Sequence, residues 1–494
     1  MLPIIGSTFP LIASKIKEEY SGGLVTAILL TCQSIVAGLV AYSVYSRGPI
    51  LYGVGGESLS RPEGFAIGVE LLADEFSAIL VLLASLITLS TVIYAVRISS
   101  RSPTFLSGVL LLIGGIMGVL MTHDVFNLFV FLEITGIATY ALIASGKSKE
   151  SSLTSFKYLL IGTTGASLYL LGVGFLYMTT GTLNISDLST VLAGEGFIDE
   201  PLYGNPLVQL SFAFISTGLL IKCAIFPLHT WQPDAYDYAP HSITALIAAL
   251  VSTASAYVFG RLLFNVYTPE FFVANPLAAE IIIIVSGLSV VAGSVLAVMQ
   301  ENIKRMLAYS SVSHFGLILA AFAAAVQPSG SIEALIGGII HLTGHGLVKA
   351  GMFFGAGLLI IYTGSKNIHD FRGLGEKLRG VSGSVSLMGI VLIGVPPSIG
   401  FLGKWYIVLG AIKSEMWVLA GLVLFSTLLT LMYVAKLVET LFFSNKESSG
   451  SRVKIYRVLV LIPVFFALLS VLLGFTGSAW FDGLMPFAEE VMNK

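Results

Sequence analysis

The sequence predicts an all-α, polytopic membrane protein of about fourteen transmembrane helices, and three observations predict it. Of 494 residues, 55% are hydrophobic and only 11% charged, against about 25% charged in a soluble domain. Mean hydropathy is +0.91. The apolar residues fall in blocks near the roughly 20 residues that cross a bilayer, and the charges collect in the short connections between them.

In chain order the blocks lie at about 1–14, 24–45, 76–96, 104–121, 125–143, 157–178, 208–226, 241–265, 278–298, 308–326, 334–361, 384–411, 417–441 and 456–475. The first is short. It lacks the basic start of a cleaved signal peptide and reads as a span. Charge sidedness checks the count. The odd-numbered connections hold sixteen basic residues: Lys15, Lys17, Arg97, Arg101, Lys147, Lys149, Lys304, Arg305, Lys366, Arg372, Lys377, Arg379, Lys446, Arg452, Lys454 and Arg457. The even-numbered ones hold three, Arg47, Arg61 and Lys413, and collect Asp187, Glu195, Asp199, Glu200 and Glu270. Basic residues concentrate on the cytoplasmic side. The expectation is therefore cytoplasmic odd connections, outward termini and a multi-pass plasma membrane location, of the prokaryotic kind.

The same numbers exclude other classes. With net charge −2 and no basic run, nucleic acid is not a partner to expect. Cys32 and Cys223 sit in apolar segments, so neither a disulfide framework nor a metal cluster is encoded. Without a phosphate-binding glycine loop, nucleotide has no place to bind. No cofactor and no metal are expected, and no catalytic chemistry belongs to this chain itself.

Two blocks contain backbone breakers. Residues 218–240 carry Pro227, Pro233 and Pro240; residues 394–405 carry Pro396 and Pro397 among Gly394, Gly400 and Gly403. An interior proline costs a helix about 3 kcal/mol. At bilayer depth a break is tolerated only where protein or water satisfies the backbone. The plain alternative is a proline-rich turn. Paired interruptions in two halves of a chain point instead to a transporter built of repeats.

Ionisable side chains also fall inside blocks: Glu133, Lys222, His341, His345, Lys349, Lys404 and Lys436. Each lysine or acid at a helix centre costs about 2.5–3.5 kcal/mol, so Glu133, Lys222 and Lys404 together would cost on the order of 8–10 kcal/mol if unpaired. His341, His345 and Lys349 recur at i, i+4 and i+8, which places them within roughly 80° of one helix face. Each has a bland alternative. Lys157 and Arg261 lie near block ends, where they could snorkel to the interface. Lys436 could simply pair with Glu439, and a lone histidine is often a packing residue. As a set, these groups suit proton movement. Burial disfavours the charged form of either partner, so a Glu–Lys pair is a switch. A thousand-fold change in proton affinity involves roughly 4 kcal/mol, comparable to one charge crossing 100–200 mV at about 2.3 kcal/mol per 100 mV.

At these residues the sequence resembles a known family. Segments 123–144, 156–172, 221–247, 301–318, 341–354 and 394–406, among them FPLHTW and KRMLAYSSVSH, resemble the antiporter-like, proton-translocating membrane subunits. That family spans respiratory complex I, Mrp-type sodium/proton antiporters and energy-converting membrane-bound hydrogenases. The chain looks most like the D-type Mrp subunit and its hydrogenase counterpart, over about residues 70–440.

The resemblance implies two inverted five-helix repeats, spans 4–8 and 9–13, with helices 7 and 12 broken. The corresponding division is N-terminal helices at 1–103, a first repeat at 104–265, a second at 278–441 and a C-terminal helix and tail at 442–494. It also implies a midplane polar axis. Glu133 pairs with Lys222 in the first half; His341, His345 and Lys349 relay between halves; Lys404 ends the second. His229 and Asp234 shape the cytoplasmic mouth. One departure stands out. Many relatives place a second lysine in span 8, in a pattern like K-x-G-x-Y-x-x-x-R, where this chain reads TASAYVFGR with Thr253 at the lysine's place. A threonine hydroxyl supports a water chain but stores no proton.

The expected function is proton translocation along this relay, as one subunit of a larger ion-pumping complex with other integral membrane subunits in the surrounding bilayer. Two other readings are a stand-alone Na⁺/H⁺ antiporter and a transport-inactive structural subunit. Hard cations favour several oxygen ligands, and Glu133 is the clearest single mid-span acid, which favours protons along this path; Na⁺ would act elsewhere in the complex.

Overall fold

The structure, a computed structural model, describes residues 2–16, 20–54, 68–98, 102–195, 200–443 and 455–493. Lys17, Arg61, Arg101, Asp199, Lys446, Arg452 and Lys454, used above in the charge count, lie outside the described residues. Among the described residues the fold is all-α apart from one antiparallel ribbon. In order come α1 (Leu2–Gly6), α2 (Phe9–Ile16), α3 (Tyr20–Arg47), the strands β1 (Ile50–Gly53) and β2 (Glu70–Ala73), α4 (Glu75–Ile98), α5 (Pro103–Met121), α6 (Val125–Ala144), α7 (Lys149–Thr180) and α8 (Ile185–Leu192). There follow α9 (Pro206–Lys222), α10 (Trp231–Tyr238), α11 (His241–Leu262), a π-helical turn (Leu263–Tyr267), α12 (Thr268–Ala274), α13 (Pro276–Val298), α14 (Ile303–Ala325) and α15 (Ile332–Thr363). The chain closes with α16 (Leu374–Lys377), α17 (Arg379–Ile393), α18 (Ile399–Lys413), α19 (Trp417–Phe442), α20 (Arg457–Leu472) and α21 (Gly477–Met492).

Among the described residues, eleven helices are long and apolar enough to cross a membrane, and the chain is a multi-pass membrane protein. Their ends follow the sequence. Asp124 accepts from the amide of Asn127 at 2.7 Å and starts α6; Asn302 accepts from Lys304 and Arg305 and starts α14. Gly364, at φ +73°, stops α15 in the left-handed conformation that suits glycine. α11, α14 and α15 form the buried centre, and their polar side chains therefore face protein rather than lipid.

Several blocks resolve differently from the sequence reading. Residues 1–14 form two short helices. The block at 384–411 is two helices, α17 and α18: Gly394 turns at φ +92°, and Pro396–Pro397 supplies no amide to continue the ladder. Residues 477–492, read as tail, form α21, which returns to contact α15 and α4. The ribbon was not anticipated. Its β2 strand ends at Ala73, and its Ile50–Gly53 partner is too short to show a period.

Packing of the site helices rests on glycines. Gly165 on α7 and Gly218 on α9 face each other so closely that a methyl group on Gly218 would sit 2.4 Å from the Gly165 carbonyl. Gly403 on α18 lies against His341: a methyl there would be 2.8 Å from the histidine Cα.

Candidate functional site

α9 ends at Lys222, and α10 starts at Trp231. The intervening segment, which carries Pro227, finds partners for its backbone in the protein. The Phe226 amide donates to Ser289 Oγ at 3.2 Å, and Ser289 donates to the Val312 carbonyl at 3.1 Å. Lys222 Nζ reaches Glu133 Oε1 of α6 at 3.5 Å. Lys222 is buried and Glu133 is partly open, with side-chain exposures of 8% and 23%. Aromatic rings wall this pair: Trp231 stacks on Tyr158 at 4.0 Å, Tyr158 meets Tyr140 edge-on at 4.8 Å, and the Trp231 indole N–H donates to the Ile221 carbonyl.

The second interruption puts Pro396 and Pro397 between α17 and α18. Lys404 Nζ turns back to the exposed end of α17, donating to the Leu392 and Ile393 carbonyls at 3.2 and 2.9 Å and to Thr427 Oγ1 at 3.1 Å. It closes a helix C-terminus that has no further amides to offer. Lys222 and Lys404 thus each sit beside an interruption, with different partners: a carboxylate for Lys222, carbonyls and a hydroxyl for Lys404.

Between them, α15 contributes His341, His345 and Lys349, all buried. Lys349 Nζ donates to the Leu307 carbonyl at 2.9 Å and to Ser310 Oγ on α14. His341 Nε2 lies 3.0 Å from Nδ1 of His314 on α14. The His345 ring centre is 6.0 Å from that of His314, and both its nitrogens are buried without a protein partner. His314 was missed by the sequence reading, although it sits mid-block in the KRMLAYSSVSH segment among three serines.

Near Thr253, which the sequence singled out, lie two buried polar groups that it did not, Gln232 and Ser252. Gln232 on α10 is fully buried and donates to Tyr236 and to Ser252 of α11 at 2.9 and 3.2 Å. Ser252 adjoins Thr253, whose buried hydroxyl has no protein partner. Gln232 was hidden because a glutamine beside Pro233 reads as a turn residue.

The other predicted residues have partners of their own. Lys436 is half-buried and donates to the Gln300 carbonyl at 3.3 Å, and Glu439 is exposed. Asp234 pairs with Arg305 at 2.9 Å, both about one-third exposed, and lines a cavity of about 300 Å³ with Thr154, Lys157 and Thr230. His229 is buried between the rings of Phe226 and Tyr309. Lys304, counted above among loop charges, is buried: Nζ donates to the carbonyls of Asp237 and Ala239 and to Thr244. Beside it Lys366 pairs with Asp237 at 2.7 Å. Arg261 does not snorkel; it is buried against Asp74.

A helical membrane bundle that buries amines and imidazoles and holds a Glu–Lys pair among them marks an antiporter-like, proton-translocating component of a membrane complex. The comparisons agree. The NADH:quinone oxidoreductase/Mrp antiporter transmembrane family matches residues 122–430, and the chain belongs to that family. It is 35% identical to the NADH-quinone oxidoreductase subunit N of Desulforudis audaxviator, with 91% of this chain and 88% of that one aligned. It is 30% identical to a Na⁺/H⁺ antiporter subunit of Bacillus subtilis, over 93% and 89% of the two chains. Among solved structures, a chain of the membrane-bound sulfane sulfur reductase, an archaeal respiratory membrane complex, superposes with TM-score 0.87 at 30% identity, covering 99% of this chain and 96% of that one.

Proposed function

We propose that this chain moves protons along the buried line from Glu133 and Lys222, past Gln232, Ser252 and Thr253, to His345, His314, His341 and Lys349, and on to Lys404. It does so as one integral membrane subunit of an Mrp-type or complex-I-like ion-pumping complex. The single observation that carries this reading is the burial of six amines and imidazoles, Lys222, His314, His341, His345, Lys349 and Lys404, in one bundle, with Glu133 paired to the first of them. A bundle that needed only stability would hold leucine there.

The architecture that suits this role is fourteen spans in two inverted five-helix repeats, 104–265 and 278–441, flanked by 1–103 and 442–494, with the interruptions at Pro227 and Pro396–Pro397 as broken helices 7 and 12. The interruptions' matching positions and their neighbouring lysines support it. Odd-numbered connections then face the cytoplasm, and the Asp234 cavity with His229 behind it is the uptake mouth. Proton transfer proceeds by pair switching. While Glu133 is ionised, Lys222 keeps its proton; when Glu133 is neutralised or drawn away, the desolvated ammonium releases the proton toward Gln232 and Ser252. Thr253, standing where many relatives have a lysine, carries the proton through water and its hydroxyl without storing it.

The test is proton uptake by the assembled complex in liposomes with an internal pH-sensitive dye. Lys222→Ala and Lys404→Ala are expected to abolish driven transport, and transport at the unaltered rate in both would leave a purely structural subunit. Exchange of Na⁺ for H⁺ by the isolated chain would instead make it a stand-alone antiporter.

A further inference from the structure

Arg261 and Asp74 form a second buried charged site outside this line. Arg261 stands at the end of α11 and Asp74 just before α4. Nη1 lies 2.5 Å from Oδ2 and Nη2 donates to Oδ1 at 2.6 Å, so the guanidinium grips both carboxylate oxygens. The Tyr257 hydroxyl accepts from Nε and Nη2 at 3.0 and 2.9 Å and donates to the Leu120 carbonyl at 2.8 Å. Asn265, in the π-helical turn, accepts from Nη1 at 3.3 Å. The rings of Phe76 and Phe487 flank the guanidinium at 5.8 and 5.2 Å. Phe487 belongs to α21, which therefore lies over the pair as a cover. Glu75, Glu490 and Tyr45 are the further titratable groups near it.

Three residues of α11, Thr253, Tyr257 and Arg261, follow one another at i, i+4 and i+8 and climb about 12 Å along one face. The foot of this stair meets the central histidines. Gly346, next to His345, lies so close to α11 that a methyl group there would be 3.0 Å from the Ala249 carbonyl and 3.9 Å from Thr253 Oγ1. Thr253 Oγ1 and both His345 nitrogens are buried polar atoms without a protein partner, the kind that ordered water satisfies.

We propose that this stair is a proton exit that branches from the line at Thr253 and runs to the end of the bundle that carries the even-numbered connections, and that the Asp74–Arg261 pair beneath Phe487 is its gate. The inference rests on the relay reading above. A proton at the Thr253 hydroxyl passes through water to Tyr257, whose own proton turns from the Leu120 carbonyl to Asp74. Asp74 becomes a neutral acid, Tyr257 takes up the incoming proton on the lone pair that one of its two Arg261 bonds gives up, and Arg261 keeps its charge, its other bond to Tyr257 and its bond to Asn265. Loss of the Asp74 proton to the outer medium restores the pair and closes the gate.

The test compares driven transport and passive proton flux under an imposed potential, using the assembled complex in liposomes. Losing the Tyr257 hydroxyl removes one hydrogen-bonded step, so Tyr257→Phe is expected to lower driven transport about ten-fold. Losing the ring over Arg261 admits water to the pair, so Phe487→Ala is expected to raise passive flux about five-fold. Lys222→Ala tests the relay separately. Unaltered transport by Tyr257→Phe, with passive flux unchanged in Phe487→Ala and Lys222→Ala inactive, overturns the exit and leaves the relay standing. Normal transport in Lys222→Ala overturns the relay itself. Should Tyr257→Phe fail to assemble, the passive flux of Phe487→Ala decides: raised flux supports the gate, and unchanged flux overturns it.

Discussion

His314 and His341 face each other across the α14–α15 interface, with Nδ1 of one 3.0 Å from Nε2 of the other. One ring donates and its partner accepts, so the two imidazoles must hold complementary tautomers. A proton can be taken up only by the donor ring, on its free nitrogen; passage of the shared proton across the bond and loss of one from the other ring then reverse the pair's polarity, which on the proposed relay would couple α14 to α15. His314 is therefore expected to matter as much as His341. His314→Gln and His341→Gln should each lower driven transport about ten-fold, the worth of one buried hydrogen bond. The double variant should be little worse than either single, because residues acting as a unit are not additive. Transport rates of the four forms check this, and simple multiplication of the two effects would show that the rings act independently.

Thr253 has a different expected signature. Thr253→Val keeps the shape and removes the hydroxyl, leaving the gap between Ser252 and His345 one polar step longer. Driven transport should fall about two- to thirteen-fold, the range given by about 1 ± 0.5 kcal/mol for a hydrogen bond, while stability changes little because the hydroxyl has no protein partner to lose. Flux and thermal unfolding, measured on the same preparation, separate the two effects.

Breaking the Glu133–Lys222 pair should affect stability as well as transport. Glu133→Gln leaves a buried ammonium facing a neutral amide. Removing one member of a fully buried pair costs about 3–5 kcal/mol, and because Glu133 is 23% exposed and the contact is 3.5 Å long, the expected loss is about 1–3 kcal/mol. The double variant Glu133→Gln with Lys222→Met should recover part of it. Unfolding of the solubilised chain reports both values, and equal stability of single and double variants would show that the pair contributes nothing.

Gly218→Ala tests the α7–α9 contact without touching a charge. Its methyl group would sit 2.4 Å from the Gly165 carbonyl, and backbone cannot step aside as a flexible side chain does. The helices must separate, at an overpacking cost of about 1–3 kcal/mol. Because Lys222 lies one turn further along α9, transport should fall with stability, and a variant as stable and as active as the parent would mean that the helices are not locked there.

Much of this arrangement was legible in the chain because a membrane makes polarity expensive. Glu133, Lys222, His341, His345, Lys349 and Lys404 stood out as costly residues in apolar blocks, and the structure buries all but the partly open Glu133. Residues whose polarity is cheap were not legible. Gln232, Ser252 and Ser310 look like turn or helix-surface residues until their neighbours are known. Lys436 was conspicuous by the same rule, yet it bonds the Gln300 carbonyl at a helix end. Depth in a block does not determine which way a side chain points.

The sequence by itself determined that this is a helical membrane protein, where most of its helices lie and which ionisable groups they carry, because hydropathy, caps and prolines act within a few residues of one another. Only the tertiary structure decided who meets whom: His314 with His341, Arg261 with Asp74 rather than with the lipid surface, and α21 over the pair. Those contacts join residues as far apart as positions 74 and 261, and no local periodicity encodes a pairing that forms only when whole helices dock.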